Sequence, residues 1–319
     1  IKLLMSNYCK FYTYLTDHPI KLQNTPWTLI GDSRAARNTM FYIPELDIAF
    51  DAGIQTDLKP AIIFISHSHL DHTRELTAYL LEPNPELIVF VPKPSHELIT
   101  NYITAGICMT KHYHGKPDTV KLKCKISDIS IPKDAKSIIH ADIITIKNIK
   151  FKLEVFKCTH TIATHGYGLI EYRKCLNPIY DVPEYQDPVT GKPDPKKLAK
   201  LKQSGCELNI ITEIPQICYL LDTDHKMLYK DKDNKYPNNN ISKYNNIIIE
   251  CTFISDDHKQ EAKETGHMLW SNLKPFILAN PQVHFILCHF SMRYKDQEIK
   301  DFFDKENIKI PKTMKLIGI

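Results

Sequence analysis

The chain has 319 residues, 43% hydrophobic and 24% charged, the composition of an ordinary globular protein able to bury a large core. Its formal charge of +4 and pI near 8.4 permit an anionic substrate but do not by themselves argue for nucleic acid. The nine cysteines form no Cys-x-x-Cys pair, the pattern of reduced, buried thiols. No apolar stretch reaches the roughly 18–20 residues of a membrane span, and the first residues are too short an apolar run for a signal peptide. The expectation is a soluble intracellular protein, cytoplasmic or nuclear, with no membrane partner.

In chain order, Met40–Ile43 and Leu46–Phe50, separated by Pro44-Glu45 and closed by Asp51-Ala52-Gly53, read as a hairpin. Ala61–Phe64 follows Lys59-Pro60 as a short apolar run, a buried strand. Thr73 to Leu80 carries a helical pattern. Further strands are expected at Leu87–Val91, Ile143–Ile146, Phe151–Phe156, Tyr167–Tyr172, Ile217–Leu221, Ile247–Ile249 and Phe285–Cys288. Strands alternating with helices suggest a layered α/β architecture in a single domain spanning 1–319. No internal repeat is evident. Residues 174–212, rich in proline and carrying the basic run Lys196 to Lys202, read as an inserted surface arm. Residues 231–244, with three consecutive asparagines, read as a solvated loop. Neither is expected to contribute to the core.

The segment Ser66-His67-Ser68-His69-Leu70-Asp71-His72 places three imidazoles and a carboxylate where a strand runs out. His67 and His69 point to one side by the period-two rule, and the turn into a helix swings Asp71 and His72 toward a second position. Nitrogen and carboxylate donors without thiolate suit zinc, with manganese or iron also compatible. Two ions need more than four ligands, so other polar residues that end apolar runs are candidates. His160 follows Phe151–Phe156, Asp222 follows Ile217–Leu221, and His289 follows Phe285–Cys288. Strand ends are where α/β proteins fix functional groups while a loop exposes them. The remaining histidines (His18, His96, His112, His114, His140, His165, His225, His258 and His284) lack this setting and read as solvated or structural.

This constellation resembles the metallo-β-lactamase superfamily and, within it, the short form of ribonuclease Z, the zinc endonuclease that trims tRNA 3′ trailers. The likeness runs from about residue 30 to 295. The His-x-His-x-Asp-His motif matches in full. His160 with Gly166-Tyr167-Gly168 behind it, Leu221-Asp222-Thr223, Glu250-Cys251-Thr252-Phe253 and His289-Phe290-Ser291-Met292-Arg293-Tyr294 match later motifs. His267 occupies the place of the family's non-ligand histidine, without the Ser-Thr that usually follows. The arm at 174–212 is short and lacks a Gly-Pro-rich tip, and Gly31 to Thr39 replaces the usual N-terminal glycine loop.

The resemblance implies a four-layer αββα sandwich holding two zinc ions. His67, His69 and His160 would hold one, Asp71, His72 and His289 the other, with Asp222 bridging. Two such ions lower the pKa of a shared water toward neutrality and clamp a phosphodiester. Beside Asp71, the catalytic set includes His267, a proton donor oriented by Glu250. Ser291, Arg293 and Tyr294 are candidates to bind a substrate phosphate, Arg293 through its bidentate fork. Arg34 and Arg37 read as solvated surface. The implied partner is RNA, a tRNA precursor, cut by a homodimer. Hydrolysis of β-lactam amides, as a main or promiscuous activity, is the alternative, and a broader phosphodiesterase acting on nucleic acid or cyclic nucleotides another.

Overall fold

Alternation of apolar side chains along the strands decides the layering. A computed structural model describes residues 19–81, 84–111, 120–122, 124–131, 138–230, 232–306 and 315–317. His18, His112 and His114 lie outside them. The strands β1 (Ile20–Lys21), β2 (Thr28–Arg34), β3 (Asn38–Ile43), β4 (Ile48–Phe50), β5 (Ile62–Phe64), β6 (Ile88–Pro92) and β7 (Lys125–Ile129) form one sheet in that order. A second sheet is built the same way from β8 (Ile138–Ile146), β9 (Ile149–Cys158), β10 (Thr164–Leu176), β11 (Asn209–Leu220), β12 (Asn246–Glu250), β13 (His284–Cys288) and β14 (Lys315–Leu316).

On β5, Ile62 and Phe64 face a core between the sheets while Ile63 faces a second core outside the first sheet. On β12, Ile248 faces the inner core and Ile247 and Ile249 a third core outside the second sheet. Strands buried on both faces read as continuous apolar runs. The outer cores are closed by helices Leu76–Leu80 and His96–Thr110 on one side and Trp270–Ala279 and Asp296–Glu306 on the other. The result is a four-layer αββα sandwich.

Each sheet starts with three antiparallel pairings and ends with three parallel ones. The fold therefore repeats its plan although the sequence shows no repeat, because a buried strand needs only apolar alternation, which many sequences supply. β1, β2, β7 and β14 are additions to the expected strands. β2 alternates only loosely, with Asp32, Ser33 and Arg34 buried at its end.

The expected arm corresponds to a ribbon in which β10 and β11 pair as far as Leu176 and Asn209, capped by the helix Pro195–Gln203. β10 begins beside the His-x-His-x-Asp-His segment, where the His165 amide donates to the Ser66 carbonyl at 2.9 Å, and runs away from it. The arm thus leaves the sheet at the opposite end. The segment 231–244 departs from the expectation of a solvated loop. Its end forms the helix Asn239–Ser242, and Ile241 and Tyr244 are buried in the core outside the second sheet, where Tyr244 donates to Glu154 at 2.7 Å. Hydrophilic neighbours mask these two anchors in the sequence. No helix among the described residues is long and apolar enough to cross a membrane, and the eight described cysteines are unpaired.

Phe64 stacks among Phe50, Phe90 and Tyr167 at centroid distances of 5.5, 5.2 and 5.0 Å, directly beneath the histidine-rich segment. Phe64→Ala is expected to cost about 3–5 kcal/mol, read as a lowered urea midpoint at unchanged slope. A loss below about 1 kcal/mol would mean that the site end of the inner core can collapse around the cavity.

Candidate metal centre

Five strand ends deliver side chains to one edge of the sandwich. The chain leaves β5 extended through His67 and His69, then turns into the four-residue helix Leu70–Thr73, which redirects Asp71 and His72. His160 follows β9, Asp222 follows β11, Glu250 ends β12 and His289 follows β13. Asp51, Asp222 and His289, each just past a strand, have φ of 58°, 54° and 61°. Non-glycine residues rarely hold this left-handed conformation, which clusters at functional sites where the surrounding structure enforces it.

The seven residues form a set of four donors, His67, His69, His160 and Asp222, and a set of three, Asp71, His72 and His289, whose two imidazoles Asp222 also approaches. In the first, His67 Nε2 lies 3.0 Å from His69 Nδ1 and 3.3 Å from Asp222 Oδ2, and His160 Nε2 lies 3.4 Å from His69 Nδ1 and 3.7 Å from the same oxygen. In the second, His72 Nε2 lies 3.5 Å from Asp71 Oδ2 and 3.4 Å from Asp222 Oδ1, and His289 Nε2 lies 3.7 Å and 3.2 Å from those oxygens. A tetrahedron with metal–ligand bonds of about 2.0–2.1 Å has edges of about 3.3 Å, a value inside both ranges. His72 Nε2, His289 Nε2 and Asp222 Oδ1 are moreover buried without any hydrogen-bond partner among the described residues. Buried polar atoms are normally paired, so these residues fit divalent cations.

Electrostatics agree with that fit. Burial, together with the neighbouring His72, pushes His67 down to about 4 despite Asp222, leaving a neutral imidazole able to ligate. Burial alone would raise the Asp222 carboxyl, yet the surrounding His289, His72 and His67 hold it well below the usual range. It is a buried anion that positive charge must offset.

His267 stands beside both sets. A ring nitrogen lies within 4.8 Å of donor atoms of Asp222 and His289, and the ring stacks on His289 at 5.6 Å. Its Nδ1 is 2.9 Å from Glu250 Oε1, while Nε2 has no hydrogen bond among the described residues. Burial opposes charge on this imidazole, but fully buried Glu250 outweighs it and raises the pKa to about 9. Glu250 itself is pinned by the amides of Thr223 at 2.6 Å and Met268 at 3.0 Å.

Two positioning residues escape the sequence reading. Asp51 Oδ2 sits 2.7 Å from His72 Nδ1 and accepts from Tyr219 Oη at 2.6 Å, and its Oδ1 accepts from the Ser66 amide at 2.7 Å. Like Asp222 it is a carboxylate ending an apolar run, so the same strand-end rule applied to Leu46–Phe50 would have found it. Thr252 Oγ1 donates its one proton to Glu250 and lies 3.0 Å from the His289 carbonyl oxygen and 3.2 Å from His289 Nδ1. It stands in the Glu250–Phe253 segment that matches a family motif, but the sequence assigns its hydroxyl no role.

Ser291, Arg293 and Tyr294 form an outer loop with no hydrogen bond to the seven-residue cluster. Arg293 packs 5.1 Å over the Phe253 ring and is engaged by Glu261 and by His258 Nδ1 at 2.8 Å. Arg34 differs from the solvated residue expected. It is buried, bonds the carbonyls of Tyr294 at 2.7 Å and Ser291 at 3.2 Å, and pairs with Asp296 at 3.2 Å, so it braces the loop after His289. Arg37 is half exposed and pairs with Asp32 at 3.1 Å. Among the described residues, His96, His165, His225, His258 and His284 join no metal-like cluster.

No family model matches the chain. It is 25% identical over 283 residues to the tRNase Z TRZ1 of Arabidopsis thaliana, covering 88% of this chain and 91% of that one. It is 27% identical over 200 residues to the nuclear ribonuclease Z of Triticum aestivum, covering 60% of this chain and 97% of the wheat protein. Among solved structures, the metallo-β-lactamase fold protein YhfI of Bacillus subtilis superposes with a TM-score of 0.53 at 12% identity, covering 92% and 96% of the two chains. The chain thus has the metallo-β-lactamase fold and resembles tRNase Z in sequence.

Asp51→Asn preserves volume but removes the charge that orients His72. The expected outcome is a 10–100-fold loss of zinc affinity in competition with a chromophoric chelator, at unchanged circular dichroism. Gly53→Ala is expected to act similarly, since a Cβ there would collide with the Asp71 carbonyl. Unaltered affinity in both variants would show that the second donor set does not depend on this support.

Proposed function

We propose that the chain is a two-metal endoribonuclease of the ribonuclease Z type that cuts tRNA precursors. The supporting observation is the juxtaposition of a four-donor set containing Asp222, a three-donor set beside it, and a non-ligand imidazole, His267, held protonated by Glu250. The tRNase Z relatives support the choice of RNA as substrate.

His67, His69 and His160 would hold one ion and Asp71, His72 and His289 the other, with Asp222 between them. Zinc suits this nitrogen-rich, thiolate-free set. When bound, two such ions supply an activated water at neutral pH and charge neutralisation for a phosphodiester in displacement. The chain's own residues do the rest. His267 presents Nε2 toward the open side and donates its proton to the leaving 3′ oxygen. Glu250 keeps that proton available before reaction, and the Thr223 and Met268 amides and the Thr252 hydroxyl fix the carboxylate. Asp51 and Thr252 hold His72 and His289 in orientation. Ser291, Arg293 and Tyr294 form the flanking wall, where Arg293 would have to exchange its Glu261 partner for a phosphate. β-Lactam hydrolysis gains nothing from the relatives. The unpaired cysteines suit an intracellular location, and assembly as a homodimer follows from the family resemblance alone.

His267→Ala is expected to lower kcat on a labelled precursor tRNA bearing a 3′ trailer by roughly 10²–10⁴-fold, with metal content unchanged. Glu250→Gln should lower it in the same direction by a smaller factor. A His267→Ala enzyme cutting within threefold of wild type would exclude this histidine as the proton donor. Turnover of a chromogenic cephalosporin without RNA cleavage by the wild type would overturn the endonuclease reading.

A further inference from the structure

The outer side of the second sheet carries a groove of about 480 Å³ beside the metal edge, within the 300–1,000 Å³ range of small-ligand sites. It is lined by the end of β9, the 3-10 turn His225–Leu228 and the helix Asn239–Ser242, and none of its described lining residues is acidic. Three lysines line it: Lys157, Lys226 and Lys230. Lys226 is neutralised by Asp224 at 2.7 Å. Lys157 and Lys230 are exposed, and among the described residues their ammonium groups have no ion pair or hydrogen bond. Thr159 and Asn240 also line the groove, and their side-chain polar groups are likewise uncommitted.

The groove is joined to the metal centre by a short backbone link. Thr159 immediately precedes His160, its amide donates to Thr223 Oγ1 at 3.0 Å, and its carbonyl accepts from the Asp224 amide at 3.0 Å. The loop after Asp222 is thereby tied to the loop carrying His160, and the same pair of loops forms the groove wall. Two cations, a hydroxyl and an amide uncommitted among the described residues, with no acid among the described lining residues, favour an anion whose charge is spread over a chain rather than a compact dianion.

The geometry points to this groove as a subsite for the sugar–phosphate backbone of the RNA strand flanking the bond cut at the metal centre. Lys157 and Lys230 neutralise successive phosphates, and Thr159 and Asn240 hydrogen-bond the sugar or phosphate between them. The assignment rests on the phosphodiester reading of the metal centre. Interactions of this kind bind any sequence, because they address the backbone and not the bases.

The test is Lys157→Glu/Lys230→Glu beside a charge-matched control on the first sheet, Lys93→Glu/Lys125→Glu. Two readouts are used: kcat and KM on a 3′-extended precursor tRNA, and binding of a labelled single-stranded 2′-O-methyl oligonucleotide by fluorescence anisotropy across salt concentrations. The groove variant is expected to raise KM and the oligonucleotide Kd about tenfold with kcat within twofold. It is also expected to flatten the slope of log K against log salt by about 1.4, or about 0.7 for each phosphate that is no longer neutralised. The control is expected to leave all of these within twofold. An unchanged salt slope in the groove variant, or an equal effect in the control, would overturn the subsite. If the wild type cuts no precursor, the proposed function fails, while the oligonucleotide titration still decides the groove.

Discussion

The Asp222 carboxylate, buried at 2% exposure at the end of β11 and splitting its two oxygens between two sets of imidazoles, is the interaction on which the site depends. An anion in that position is costly unless charge and hydrogen bonds surround it. Its Oδ1 has no hydrogen-bond donor among the described residues, nor do the facing His72 Nε2 and His289 Nε2 have any partner among them. Such an arrangement is unfavourable for bare protein and favourable around cations. The left-handed backbone at Asp222 and His289 is part of the same arrangement. A more relaxed backbone would carry these donors out of the shared geometry.

Support for that carboxylate reaches outward in layers. Asp51, ending the strand of the first sheet that corresponds by position to β11 in the second, fixes His72, while Tyr219 on β11 donates to Asp51 across the inner core. The repeated plan of the two sheets thus places a carboxylate at equivalent strand ends, one among the clustered donors and one behind them. On the other side, Thr252 and Glu250 at the end of β12 couple His289 to His267. Arg34, from β2, clasps the loop that follows His289. The metal edge is therefore held by both sheets at once, which is why neither half could supply the site alone.

Much of this was legible in the sequence because the chemistry leaves few options. Three imidazoles and a carboxylate within His67–His72 are hard to explain otherwise, and His160, Asp222 and His289 were found because polar residues seldom end apolar runs without cause. What the sequence hid were residues whose role arises only from tertiary proximity. Thr252 matters because its hydroxyl meets Glu250, His267 and His289, which the chain brings together only on folding. Arg34 resembles any loop arginine until the Ser291–Tyr294 carbonyls close over it. Ile241 and Tyr244 were lost among asparagines, although two anchors suffice to dock a short helix. Arg293 was legible as a cation near the site but not as one already engaged by Glu261 and His258.

The central claim, that one carboxylate serves two ions, is tested most directly by anomalous diffraction from zinc-loaded crystals collected on both sides of the zinc absorption edge. The account predicts two anomalous peaks per chain, one on the His67, His69 and His160 side of Asp222 and one on the Asp71, His72 and His289 side, each within bonding distance of a different Asp222 oxygen. A single peak, or two peaks of which only one approaches Asp222, would contradict it.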